Sequence, residues 1–188
     1  MPIPFRDADE LAELGPAGYL TIIPRAEGDR YEGALFLINA RGEPLEFTYN
    51  RVEMPHSFLW RKDDIRRHAQ RRLTSSLLSI CPIVPRLILC LAEEVSSELF
   101  CEDISVAIPV CRVSPVALVT SFAGQEIQEA PVSPEPINLF WYPKMPEQST
   151  PERQLVDEII RRELIQEPFN RAKSGLDEVY RSDQGLQK

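Results

Sequence analysis

Gly33-Ala34-Leu35-Phe36-Leu37-Ile38, then Asn39-Ala40-Arg41-Gly42-Glu43, then Leu45-Glu46-Phe47-Thr48-Tyr49-Asn50, is the stretch that decides the fold. The first six residues are apolar on both strand faces, as in a central strand covered on two sides. The polar five that follow suit a hairpin, with Gly42 free to adopt a positive φ. The return alternates, so Leu45, Phe47 and Tyr49 are expected inward and Glu46, Thr48 and Asn50 outward. Upstream, Tyr19–Ile23 reads as a third strand closed by Pro24. A short helix before it would be capped by Asp7, with Glu10 completing a capping box.

Downstream, the spacing predicts a helix from Asp63 or Asp64 to about Ile80. Ile65, Ala69, Leu73, Leu77 and Ile80 share one face at about 100° per residue, and Pro82 and Pro85 follow. Leu87–Ala92 is a short unbroken apolar run that suits a buried strand. Ile104, Val106, Ile108 and Val110 alternate, but Pro109 removes a ladder donor and assigns that strand to an edge or bulge. Val116–Thr120 supplies a further candidate strand. The expectation is an α+β domain over residues 1–121: an antiparallel sheet of five to six strands with one long helix on a face.

From Phe122 to Pro151 prolines take over and bracket one apolar cluster, Ile137-Asn138-Leu139-Phe140-Trp141-Tyr142. Prolines lack a backbone donor and push the residue before them towards extended conformations. Residues 122–150 are therefore expected as an extended arm whose rings need a surface, on their own domain or on a partner. Thr150-Pro151-Glu152 is a helix start, and Leu155, Ile159, Ile160 and Leu164 form its stripe over 151–166. The remainder, 167–188, reads as a polar and mobile tail.

The chain has 188 residues and a net charge of −8, so its overall field repels phosphate and anionic lipid, which leaves room only for a local basic patch. The start lacks a basic region followed by an apolar run, and no apolar window approaches the ~20 residues that span a bilayer. A cytoplasmic protein with no membrane association is expected. Cys81, Cys90, Cys101 and Cys111 are widely spaced with no Cys-x-x-Cys, which suits buried free thiols better than a zinc site.

The chemistry-bearing motifs are missing. There is no phosphate loop, no Gly-x-Gly-x-x-Gly after a strand and no Gly-x-Ser-x-Gly elbow. No catalytic residue, metal or cofactor is predicted. The leading expectation is a non-catalytic accessory or scaffold subunit, joined to a protein partner or a second copy. Ile137, Leu139, Phe140, Trp141, Tyr142, Leu155, Ile159 and Leu164 would be its apolar anchors. The first alternative is a nucleic-acid-binding subunit. Arg61, Lys62, Arg66, Arg67, Arg71 and Arg72 concentrate six cations in twelve residues behind Trp60, and guanidinium forks hold phosphate while an aromatic ring supports an unpaired base. The second alternative is a cysteine-dependent enzyme in which His56 activates Cys81 or Cys111.

Overall fold

A computed structural model describes residues 3–4, 10–25, 29–54, 57–118 and 122–185. Its strands are β1 (Ala17–Arg25), β2 (Arg30–Ile38), β3 (Pro44–Glu53), β4 (Leu87–Leu91), β5 (Val110–Pro115), β6 (Ile127–Glu129) and β7 (Ile137–Tyr142). The helices are α1 (Lys62–Ile80), α2 (Pro151–Arg161) and α3 (Glu167–Gly185). The strands form one seven-stranded sheet in the order β3-β2-β1-β4-β5-β7-β6.

The sheet is mixed, which corrects the expected antiparallel sheet of five to six strands. The β1–β2–β3 meander is antiparallel and turns at Asn39–Glu43, where Gly42 has φ 86°. Beside β1, however, β4 runs parallel, and β5 runs parallel to β4. The cause is the position of α1, which carries the chain back across one face so that β4 starts at the same end as β1. A strand buried on both faces reads as a continuous hydrophobic run, and Leu87-Ile88-Leu89-Cys90-Leu91 does so.

Two cores flank the sheet. On one face Ile65, Ala69, Leu73 and Leu77 of α1 pack against Leu20, Ile22, Leu35, Leu37, Ile88 and Cys90. On the other, α2 and α3 cover Tyr19, Phe36, Leu89, Cys111, Leu139 and Trp141. Ile80, predicted on the buried face of α1, is exposed because the helix has by then run past the sheet. In β3 both faces are partly covered: Phe47 packs on the α2–α3 core as expected, while other positions depart from the expected alternation. Thr48 and Val52 are buried, whereas Leu45 and Tyr49 are exposed at the sheet's edge.

The proline-rich arm is part of this sheet. Ile137–Tyr142 pairs along its whole length with β5, and its other edge pairs with β6. Trp141 is 0% exposed and its indole N–H donates to Glu129, 2.9 Å away. Ile137, Leu139, Phe140, Leu155 and Ile159 are likewise buried, Leu164 packs on the same core, and Tyr142 is half-buried. The rings expected to seek a partner are covered by their own chain. The prolines flank a strand and leave its interior free of them.

Where a polar, mobile tail is expected, the chain forms α3. Phe169 meets Tyr19 edge-on at 5.0 Å, Arg171 donates to the Gly42 carbonyl at 2.8 Å, and Tyr180 meets Tyr49 at 5.8 Å. Gly175 lets the helix lie flat on Phe47, since a Cβ there would fall 2.6 Å from the ring. Residues 104–109 and 116–118 are not strands, and Asp7, with its expected cap, lies outside the described residues.

Candidate nucleic-acid interface

In open α/β sheets ligands gather outside the carboxyl ends of parallel strands. At the ends of β1 and β4 Glu94 turns back and accepts from the Ile22 N–H at 3.3 Å, while the Lys173 ammonium of α3 lies 2.6 Å from its other oxygen. Burial pushes the Glu94 carboxyl above its ordinary range, and the Lys173 contact opposes that shift. Nearby, Arg25 bridges Glu32 at 2.9 Å and Asp177 on α3. A hard divalent cation needs several converging oxygens. Here an ammonium and a backbone N–H point at a single carboxylate, so this donor set does not fit a metal. Among the described residues no three His, Cys, Asp or Glu side chains gather to hold one.

The same segment that leaves β4 fixes α1. Arg66 donates to the Glu93 carbonyl, and Gln70 donates to the Glu94 carbonyl, both at 2.6 Å. Gln70 also accepts from Ser96 through its own oxygen. The chain then makes a π-helical turn over Leu99–Asp103, a rare geometry that is frequent at functional sites. That turn aims Glu102 and Asp103 at Arg67. Its guanidinium makes two 2.8 Å bonds to Asp103 and one of 2.8 Å to Glu102, and both carboxylates hold it more firmly protonated.

Between α1 and this turn lies an open groove of ≈ 360 Å³ lined by Trp60, Asp64, Arg67, His68, Arg71 and Asp103. The indole of Trp60 rests against the His68 imidazole, with centroids 5.1 Å apart and planes inclined at 43°. Burial lowers the His68 pKa, and Arg72 and Arg71 lower it further, which favours the neutral ring. Upstream, the short turn Ser57–Leu59 leaves Phe58 81% and Leu59 72% exposed, and Trp60 is 40% exposed.

The structure divides the predicted cations into three sets, one of them Arg66 alone, which is exposed and held by the Glu93 carbonyl. Arg61 bonds Asp64 at 2.7 and 3.0 Å, and Arg67 is bound to the π-helical turn. Lys62, Arg71 and Arg72 are exposed and have no carboxylate partner among the described residues. Trp60, Arg67 and Arg71 therefore share one groove, with Arg72 beside it. The apolar anchors predicted on the arm and on α2 take no part. Missed in the sequence were His68 as a wall of the groove and the junction of Glu94 with Lys173.

Of the two thiols expected as nucleophiles, Cys111 is enclosed in the core, and Cys81 is half-buried and donates to the Ile83 carbonyl at 3.3 Å. Cys90 and Cys111 are fully enclosed, and burial raises the Cys90 pKa to about 12 and that of Cys111 well above normal. Burial also pushes Cys101 up to about 11. His56 lies outside the described residues.

No family model matches the sequence, and no curated protein matches it. The fold does have solved relatives. The chain is similar to the crystal structure of Endonuclease V from Streptomyces avermitilis, with a TM-score of 0.57 and 14% identity over 90% of this chain and 83% of that one. It is also similar to Endonuclease V from Bacillus subtilis, with a TM-score of 0.51 and 13% identity over 92% and 82%. At such identities the likeness is one of fold. The reading of the chain as a non-catalytic assembly scaffold is overturned: its neighbours in fold are Endonuclease V structures, and most of its proposed anchors are interior residues of that fold. Among the described residues no helix is long and apolar enough to cross a membrane.

Proposed function

We propose that this chain is a nucleic-acid-binding protein on an endonuclease V-like scaffold, making contact through the outer face of α1 and the turn before it. The observation that carries this reading is the set Lys62, Arg71 and Arg72. Three exposed cations without carboxylate partners among the described residues stand beside the exposed rings of Phe58 and Trp60, on a chain of net charge −8. A protein whose overall field repels phosphate can hold a nucleic acid only through such a local patch. The fold supports the same reading, since both solved relatives are endonucleases. No cleavage step is assigned, because the donor set at the strand ends suits an internal ion pair better than a cation.

The test is fluorescence anisotropy with labelled oligonucleotides over a salt series. Three phosphate contacts give a slope of log K against log salt of about −2 on a single strand, and closer to −3 on a duplex. Replacing Arg71 and Arg72 together by alanine reduces that slope by one to two and weakens every sequence alike. Absence of binding at low salt, or binding indifferent to salt, would refute the reading.

A further inference from the structure

The Trp60 groove has a composition that the phosphate contacts leave unexplained. Its ionic members already have partners in short bonds: Arg67 and Asp103 bond each other, and Asp64 bonds Arg61. Its remaining members are an indole, an imidazole and a guanidinium that has no carboxylate partner among the described residues. Trp60 leans on His68 and leaves two-fifths of its surface open. At ≈ 360 Å³ the groove lies within the range of clefts that hold small ligands, about 300–1,000 Å³.

We infer that this groove takes one unpaired base of a single strand, stacked on Trp60 with His68 behind the indole and with Arg71 and Arg72 on the adjoining phosphates. The inference rests on the nucleic-acid reading above and narrows it to single strands. Within a duplex each base has its two faces covered by its neighbours, so an indole reaches a base face only where pairing is lost. Every base has a π face, so stacking of this kind tolerates sequence. An acidic peptide would satisfy the three cations but has no use for the indole.

The experiment uses the intrinsic fluorescence of the full chain, which holds two tryptophans, Trp60 and the enclosed Trp141. Four probes are titrated: an oligothymidine, an abasic strand of the same length, a blunt duplex and polyglutamate. The oligothymidine is expected to quench Trp60 and to bind about 5- to 150-fold more tightly than the abasic strand. Trp60→Ala should abolish that preference and Trp60→Phe should restore most of it. Equal affinity for base-bearing and abasic strands, without quenching, would overturn the inference while leaving nucleic-acid binding intact. Failure of every nucleic-acid probe would remove the underlying reading too, and binding of polyglutamate alone would assign the patch to an acidic protein.

Discussion

The Lys173 ammonium sits 2.6 Å from the Glu94 carboxylate and is the cation that this buried acid meets at the ends of β1 and β4. It arrives from α3, the last helix, at a position fixed by Phe169 one turn earlier. Lys173→Met should therefore destabilise the fold. Removing one partner of a buried pair costs roughly 3–5 kcal/mol, and Lys173 is a third exposed, which screens the loss to about 1–2 kcal/mol. The sign with pH follows from burial. Glu94 has a raised native pKa, so the folded state binds its proton more tightly and stability falls as pH rises from the ordinary carboxylate value to the native one. Without Lys173 that fall should steepen, and urea titrations near pH 7 and near pH 5 compare the two proteins.

Arg112 and Glu126 make a second pair that water scarcely reaches, with side chains 4% and 1% exposed and nitrogen–oxygen distances of 2.9 and 3.0 Å. Arg112 also donates to the Val95 carbonyl at 3.1 Å. Glu126→Gln should cost about 3–5 kcal/mol by removing the carboxylate charge from a pair that water scarcely reaches. A double replacement by apolar residues of similar volume should cost much less, which a double-mutant cycle by denaturant unfolding measures.

Trp141 lies wholly inside the sheet's α2–α3 face. Trp141→Ala should cost roughly 3–5 kcal/mol. In the Trp60→Phe protein the surviving emission should be blue-shifted and nearly inaccessible to iodide, as steady-state quenching records.

His68 has a lowered native pKa, chiefly through burial and next through Arg72 and Arg71. Its neutral form is favoured by folding, so the contribution is present above the ordinary imidazole value of about 6.5 and is lost as pH falls through the native value. His68→Gln should flatten that part of the stability profile, measured as the difference in thermal midpoint between the two proteins across the same pH range.

Gly175→Ala tests the seat of α3. Alanine gains up to about 1 kcal/mol of helix propensity, but its Cβ would meet three atoms of the Phe47 ring at 2.6 to 3.2 Å. A rigid ring cannot give way as a flexible chain end does, and overpacking of this kind costs roughly 1–3 kcal/mol. Net destabilisation is expected in thermal unfolding.

The meander and α1 were legible because period and turn chemistry coincide there. Ile65, Ala69, Leu73 and Leu77 fall on one helical face, and Gly42 takes the positive φ its turn requires. Thr150 caps α2 through its hydroxyl, as its place before Pro151 suggests. Strand direction was less legible. The continuous apolar run of β4 is the mark of a parallel strand, yet only the pairing of Ala17 with Leu87 and Val110 with Ile88 fixes its neighbours. Proline density around β7 misleads because prolines outside a strand look, in sequence, like prolines within an arm. The basic face of α1 was visible, but its division was not. Separating Arg67 from Arg71 needs the π-helical turn that brings Asp103 to one and leaves the other open.

The Tyr19 hydroxyl donates to the Leu164 carbonyl, 145 residues away along the chain and 2.6 Å away in space. During synthesis the first strand thus leaves the ribosome long before the helix that shelters it exists. Until α3 has emerged, Tyr19 and Phe36 face solvent on a nascent meander with one side uncovered. Closure of that side therefore waits for α3, across a separation of 145 residues that the chain must span before the contact can form.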